Sequence, residues 1–270
     1  VVLRDALDAA EDIARAAGAK GLRDAREPGR RAKTRYEARY QAIIERHFRR
    51  QAKRIADWLT LNPPQKATPG KGAKAVLPLS LDEALEYDDD LEMSLLRLYQ
   101  EVTRDGVALA GAQTGIGIDY TLTNTEAAKW ARQYVGTLIK NVEDTTLQAT
   151  REAIAGFIET PGMTIGDVMQ ALPFDAGRAE RIAVTEITRA YGQSEMAVAT
   201  ELARENPGVR VTLEWFTNND DKVCGVCGPL NGKEVNEGEA FTGEGEDAIY
   251  APPAHVNCRC WSQARTRIDG

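Results

Sequence analysis

Apolar residues recur at three- and four-residue steps through most of this chain, and at two-residue steps only near its end. The first period marks the buried face of an amphipathic helix and the second a half-buried strand. Residues 31–59 read as one long helix, with Tyr36, Tyr40, Ile43, Ile44, His47, Phe48, Ile55 and Leu59 on its stripe. No second ligand lies near His47, so it reads as a packed or partner-facing histidine. "NPPQKATPGKGAKAVLP" (62–78) then halts the helical period with paired prolines and Pro-Gly, and reads as a linker. A helix from near Leu81 to about Ala112 follows, broken by "GAQTGIGI".

The stretch "LTNTEAAKWARQYVGTLIKNVEDTTLQATREAIAGFIETPG" carries two apolar stripes and predicts a helical hairpin. Thr123 or Asn124 would cap its first helix; Ala127, Ala131, Tyr134, Leu138 and Val142 would face inward, as would Leu147, Ile154, Phe157 and Ile158 of the second. Thr164 and Asp167 have capping-box spacing and open a short helix. Residues 175–208 predict another helix, capped by Asp175 and stopped by Asn-Pro-Gly. Its inward face reads Ala179, Ile182, Ala183, Glu186, Ala190, Gln193 and Ala197, with Glu186 the one carboxylate among small and apolar residues.

Beyond Gly208 the period becomes two. Val209, Val211, Leu213 and Trp215 alternate as one face of a strand, and "CRCWSQART" predicts a second. The fold class that results is α+β and mostly α-helical. A helical arm (1–62), a linker (63–80) and a helical body (81–207) precede a small antiparallel β module (208–270).

Charge sharpens this division. Residues 1–60 carry 15 Lys/Arg against 9 Asp/Glu, a balance of +6, although the whole chain stands at −7. A basic arm on an acidic body suits contact with something anionic, or a solvated amphipathic face. Arg46, Arg49, Arg50, Lys53 and Arg54 are the candidate partner- or DNA-binding residues. No run of about 18 uncharged apolar residues exists. The opening lacks a basic n-region before an apolar core, so no secretory signal is expected. It also lacks an initiator Met, which is compatible with processing or trimming.

All four cysteines fall within 37 positions. Cys224 and Cys227 form a C-x2-C knuckle, and His255 and Cys258 repeat the gap, giving C-x2-C-x27-H-x2-C. That pattern suits tetrahedral structural Zn2+. Cys260 is a fifth candidate, so the fourth ligand is either His255 or Cys260. The rival readings are two disulfides, which need an oxidising compartment, or free thiols. Four strong ligands leave no open position for catalysis, so a zinc hydrolase is not expected. A segment of some 60 residues cannot easily build its own apolar core, so the ion is expected to replace one. Glu186 invites two pairings: with Arg189 one turn on, or across to Arg259, which would lock the helix to the zinc module.

Three stretches, "RAERIAVTEITRAYGQS", "WFTNNDDKVCGVCGPLNGK" and "PPAHVNCRCW", together resemble the phage Mu F-like minor head proteins, also called phage head morphogenesis proteins. The resemblance runs over about residues 120 to 265. It implies a virion protein of few copies, inside the head near the portal vertex, acting in head morphogenesis and present in host cytoplasm during assembly. The portal protein, the major capsid protein and packaged double-stranded DNA are its implied contacts. The resemblance brings no catalytic activity. Some relatives carry a toxin or transferase domain after the zinc module; none is expected here, since the sequence stops at Gly270. The alternative is a zinc-containing DNA-binding protein acting in genome packaging or ejection. The aromatic interleaving of a single-strand platform is missing, and the acidic body opposes DNA coating by the whole molecule.

Overall fold

The computed structural model describes residues 27–64, 89–114, 120–160 and 162–268. Among them are α1 (Arg30–Leu61), α2 (Asp89–Thr114), α3 (Tyr120–Glu159), the short α4 (Ile165–Ala171) and α5 (Ala176–Glu205). Strands β1 (Val209–Phe216), β2 (Glu234–Asn236) and β3 (Trp261–Ile268) follow. The mostly helical α+β expectation holds. The predicted linker lies largely outside the described residues, as does the predicted start of the second helix near Leu81. The described residues gather into two compact units, one drawn from within Val1–Tyr40, Leu96–Arg132 and Glu180–Gly270, the other from within Gln41–Leu95 and Gln133–Ala179. The long helices each supply residues to both.

The predicted hairpin is instead a single helix, α3, of 40 residues. Thr123 and Asn124 therefore sit inside it and not at its cap. No glycine or proline stands between Val142 and Leu147 to break it. The buried seam in fact runs on: Val135, Ile139, Val142, Thr146, Thr150, Ile154 and Phe157. Two of these are threonines, which made the stripe look interrupted. Their hydroxyls satisfy themselves on carbonyls four residues earlier, Thr146 on Val142 at 2.9 Å and Thr150 on Thr146 at 2.8 Å.

In this second unit, Ile55, Trp58 and Leu59 of α1 join Ala153, Ile154 and Phe157 of α3 and Val168 of α4 in one apolar cluster. His47 is fully buried, its ring tilted against Phe48. Thr164 caps α4 through the reciprocal box with Asp167. Asp175 opens α5 by accepting the Arg178 amide at 2.8 Å.

In the first unit, β1 is the central strand of an antiparallel sheet ordered β2-β1-β3. Val211, Leu213 and Trp215 point to one face, as their alternation predicts. That face is not short of apolar partners. Val107 and Ala110 of α2 and Val198, Ala199 and Leu202 of α5 form one core with it. Trp215 and Phe241 are completely buried there, edge to face at 5.1 Å. The expectation that an ion replaces a core is thus corrected: the module borrows its oily interior from two helices. On the opposite face Phe216 stacks on Trp261 at 4.1 Å, and Arg265 meets Glu214 at 3.2 Å.

Continuity of α3 has a direct consequence. Asp144 is exposed in mid-helix, so Asp144→Pro is expected to cost about 3 kcal/mol or more, while Asp144→Ala stays near parental stability. Urea denaturation checks both; a loop at this point would tolerate the proline.

Candidate metal centre

Two loops bring the ligands together. The first leaves β1 at Thr217, whose amide donates to Asn231 Oδ1 at 2.9 Å. It turns through the knuckle, where the Cys227 amide points at Cys224 Sγ (3.4 Å) and the Gly228 amide closes on the Cys224 carbonyl (2.9 Å). The second loop, Pro252 to Cys260, precedes β3. Asn257 takes a left-handed φ of 61°, a conformation asparagine tolerates, and its amide donates to Thr185 Oγ1 of α5 at 2.7 Å. Gly192 of α5 admits this loop: a Cβ there would meet the Pro252 carbonyl at 2.3 Å.

All five candidate ligands converge. Cys224, Cys227 and His255 form one group of mutually close donors, and Cys227, Cys258 and Cys260 another, with Cys227 common to both. His255 Nε2 lies 3.1 Å from each of Cys224 Sγ and Cys227 Sγ. His255 Nδ1 lies 2.7 Å from the Val256 carbonyl. A proton on Nδ1 makes that hydrogen bond and leaves the Nε2 lone pair for a metal. Cys227 Sγ and Cys258 Sγ are 3.8 Å apart. Two thiolates about 2.3 Å from a tetrahedral ion sit about 3.8 Å from one another, so this edge already has metal-site dimensions.

The electrostatics are those of thiols crowded into apolar surroundings. Burial, then the neighbouring Cys258 charge, pushes the Cys227 thiol up to about 12. A hydrogen bond from Cys260, with the Cys260 and Ala254 amides, holds Cys258 down at about 5. Cys260 is driven up by its hydrogen bond to Cys258 and by burial. Amide donors, that of Cys227 foremost, lower Cys224. For His255, burial alone would lower its affinity for a proton, but the Val256 carbonyl and the Cys258 and Cys224 charges outweigh it. A divalent cation would neutralise what this environment penalises and release protons on binding. The cluster can therefore hold a metal ion.

Glu186 and Arg259 do not form the predicted lock. Arg259 grips Asp220 with two parallel bonds, 2.8 and 2.9 Å. Glu186 is buried on α5, where it accepts from the Tyr99 hydroxyl at 2.7 Å and sits 3.4 Å from Arg189. Asp220 wins because it lies in the first metal loop, beside the second, whereas a tyrosine on α2 supplies the donor that a buried carboxylate requires. Sequence reasoning singled out neither Tyr99 nor Thr185; Asp220 was visible only as an acid ahead of the knuckle. Of the basic residues on α1, Arg46, Arg49, Lys53 and Arg54 are exposed and Arg50 is half-buried. Arg49 pairs with Glu45 at 3.8 Å and Lys53 with Asp57 at 2.6 Å, each one turn away.

Residues 135–262, just under half of the chain, match the family model described as Phage Mu protein F like protein. No curated protein and no solved structure matches the chain. The matched range holds most of α3, all of α5, β1 and β2, and every member of the Cys/His cluster.

The Arg259–Asp220 pair can be separated from the rejected alternative by double-mutant cycles in denaturant. Asp220 and Arg259 are expected to couple by about 0.5–1 kcal/mol, as a partly exposed bidentate pair does; Glu186 and Arg259 are expected not to couple. Arg259 holds Asp220 below the ordinary aspartate value of 3.8. The contribution is therefore fully present above that value and is lost as pH falls through the depressed one.

Proposed function

We propose, on the premise that residues 135–262 form a Phage Mu F-like domain, that this chain is a structural protein of a tailed-phage head, acting in head morphogenesis near the portal vertex. The observation that carries this reading is the extent of the match. It takes in the later part of the helical body, from residue 135, and the whole ligand cluster, so the resemblance is not confined to a short cysteine motif. Proteins of this family are in general structural head proteins, and a non-enzymatic role follows from the same premise. Among the described residues no helix is long and apolar enough to cross a membrane.

The ion that best suits the cluster is zinc, held by Cys224, Cys227 and Cys258 with His255 or Cys260 completing the set. Thiolate and imidazole donors select a borderline-soft cation over calcium or magnesium. Bound there, zinc would supply a cross-link between the two loops. It would not organise the sheet, which has its own core.

A second reading, contact with packaged DNA, draws on α1. Arg46, Arg49, Arg50, Lys53 and Arg54 recur at three- and four-residue steps along one side of that helix. Phosphate binding by such a stripe falls steeply with salt. The pairs with Glu45 and Asp57 offset part of that attraction.

Purified heads test the main reading. The chain is expected in DNA-free and DNA-filled heads alike and is expected to co-purify with the portal protein after nuclease treatment; absence from both particles overturns it. The DNA reading requires that replacing Arg46 and Arg54 by Gln flatten the slope of log affinity against log salt by about one for each phosphate no longer neutralised.

Metal analysis of reduced protein is expected to give one zinc per chain, lost in Cys227→Ser. The fourth ligand is whichever of His255→Ala and Cys260→Ser releases zinc more readily to a competing chelator. Chelation is expected to speed amide exchange in residues 217–232 and 252–260 while leaving the exchange of β1 slow.

A further inference from the structure

Behind the metal cluster lies a cavity of about 20 Å3. On one wall α5 presents Thr188 and Glu195, two turns apart on a single face. On another the strand leaving the cluster presents Ser262, and α2 contributes Gln113. Thr188 is 1% exposed, Ser262 4% and Glu195 7%.

Thr188 Oγ1, Ser262 Oγ and Gln113 Oε1 have no hydrogen-bond partner among the described residues. Buried polar groups left in that condition each cost the desolvation of an unmade bond, which is why native structures almost always supply a partner. Glu195 differs, since its Oε2 accepts the Ala264 amide of β3 at 3.0 Å.

We propose that this cavity is a water site, and that its occupant joins α2, α5 and the segment carrying Cys260. The space exceeds the roughly 10–15 Å3 that one water needs and is far below that of any metabolite. The lining mixes an acceptor (Gln113 Oε1) with groups able to give or take, the two hydroxyls and the Glu195 carboxyl that burial pushes up to about 8, which matches a ligand with two donors and two acceptors. The Lys33 ammonium on the lining opposes a cation, and its pairing with Glu27 at 2.6 Å leaves it no free charge to draw an anion; the Glu195 carboxyl, so raised by burial, is mainly neutral at neutral pH. A neutral, water-sized ligand remains. Its role is positional: it holds the strand behind Cys260 to α5 by hydrogen bonds where apolar packing leaves a gap.

Thr188→Val tests this, because valine keeps the shape and removes the hydroxyl. With water present, the substitution strips it of a partner, and the thermal midpoint is expected to fall by about 2–4 °C. With a dry cavity, the same change deletes an unsatisfied hydroxyl, and the midpoint stays level or rises. Crystallography of the parental protein at about 1.5 Å resolution gives the second readout: a full-occupancy water within hydrogen-bond distance of Thr188 Oγ1 and Ser262 Oγ is expected. An empty cavity, or a valine variant at or above the parental midpoint, overturns the proposal.

Discussion

The packing of Trp215 and its neighbours against α2 and α5 sets the terms for everything near the C-terminus. β1 alternates Val211, Leu213 and Trp215 toward that contact, and Val107, Val198 and Leu202 receive them. Burying residues of this size is worth a few kcal/mol each. It fixes the register of β1 on α5, and with it the points at which the two ligand loops leave the sheet. The ligands inherit their geometry from that apolar contact. Cys227, Cys258 and Cys260 are themselves part of the core; burial raises Cys227, the hydrogen bond to Cys258 and burial raise Cys260, and hydrogen bonds, that from Cys260 foremost, lower Cys258.

This arrangement leaves different work to the core and to any ion that the cluster holds. The core orders the sheet. The first loop is rich in Gly, Asn and Asp, the second in Pro and Cys; they bear the exposed Val226 and Val256 and have little apolar surface to bury. They are held by polar ties at separate points: Asn257 to Thr185, Arg259 to Asp220, Thr217 to Asn231. Each of these is worth about 1 kcal/mol or less net. A four-ligand metal cross-link between the loops would exceed them by a large factor.

Much of this was legible in the sequence because local rules and tertiary demand agree. The long α1 stripe, the Thr164–Asp167 box, the Asp175 cap and the alternation in β1 each follow from a period or a cap. The failures share a cause. The seam of α3 passes through Thr146 and Thr150, whose hydroxyls fold back on their own helix, and that of Thr146 also accepts from Arg178 of α5 at 3.2 Å. A hydropathy pattern reads them as an interruption. β2 has only three residues and no period to find. The partners of Glu186 and Arg259 were misassigned because pairing across elements depends on which loop ends lie side by side. Charge and spacing alone do not specify that.

Cys260 shows how far spacing can go. Two cysteines one residue apart suggest two ligands on one face of a strand, yet β3 begins only at Trp261, so the C-R-C segment precedes the regular ladder. Cys260 nevertheless lies in the core with Ala264 and lines the polar cavity beside Ser262. It therefore stands at a junction of three environments: sulfur ligands, apolar side chains and unpaired hydroxyls. A ligand at such a junction is positioned by all three. The exposed His255 is aimed mainly by its own carbonyl contact. The choice between them thus turns on whether the rigid, buried thiol or the freer imidazole can close on an ion without disturbing what lies behind it.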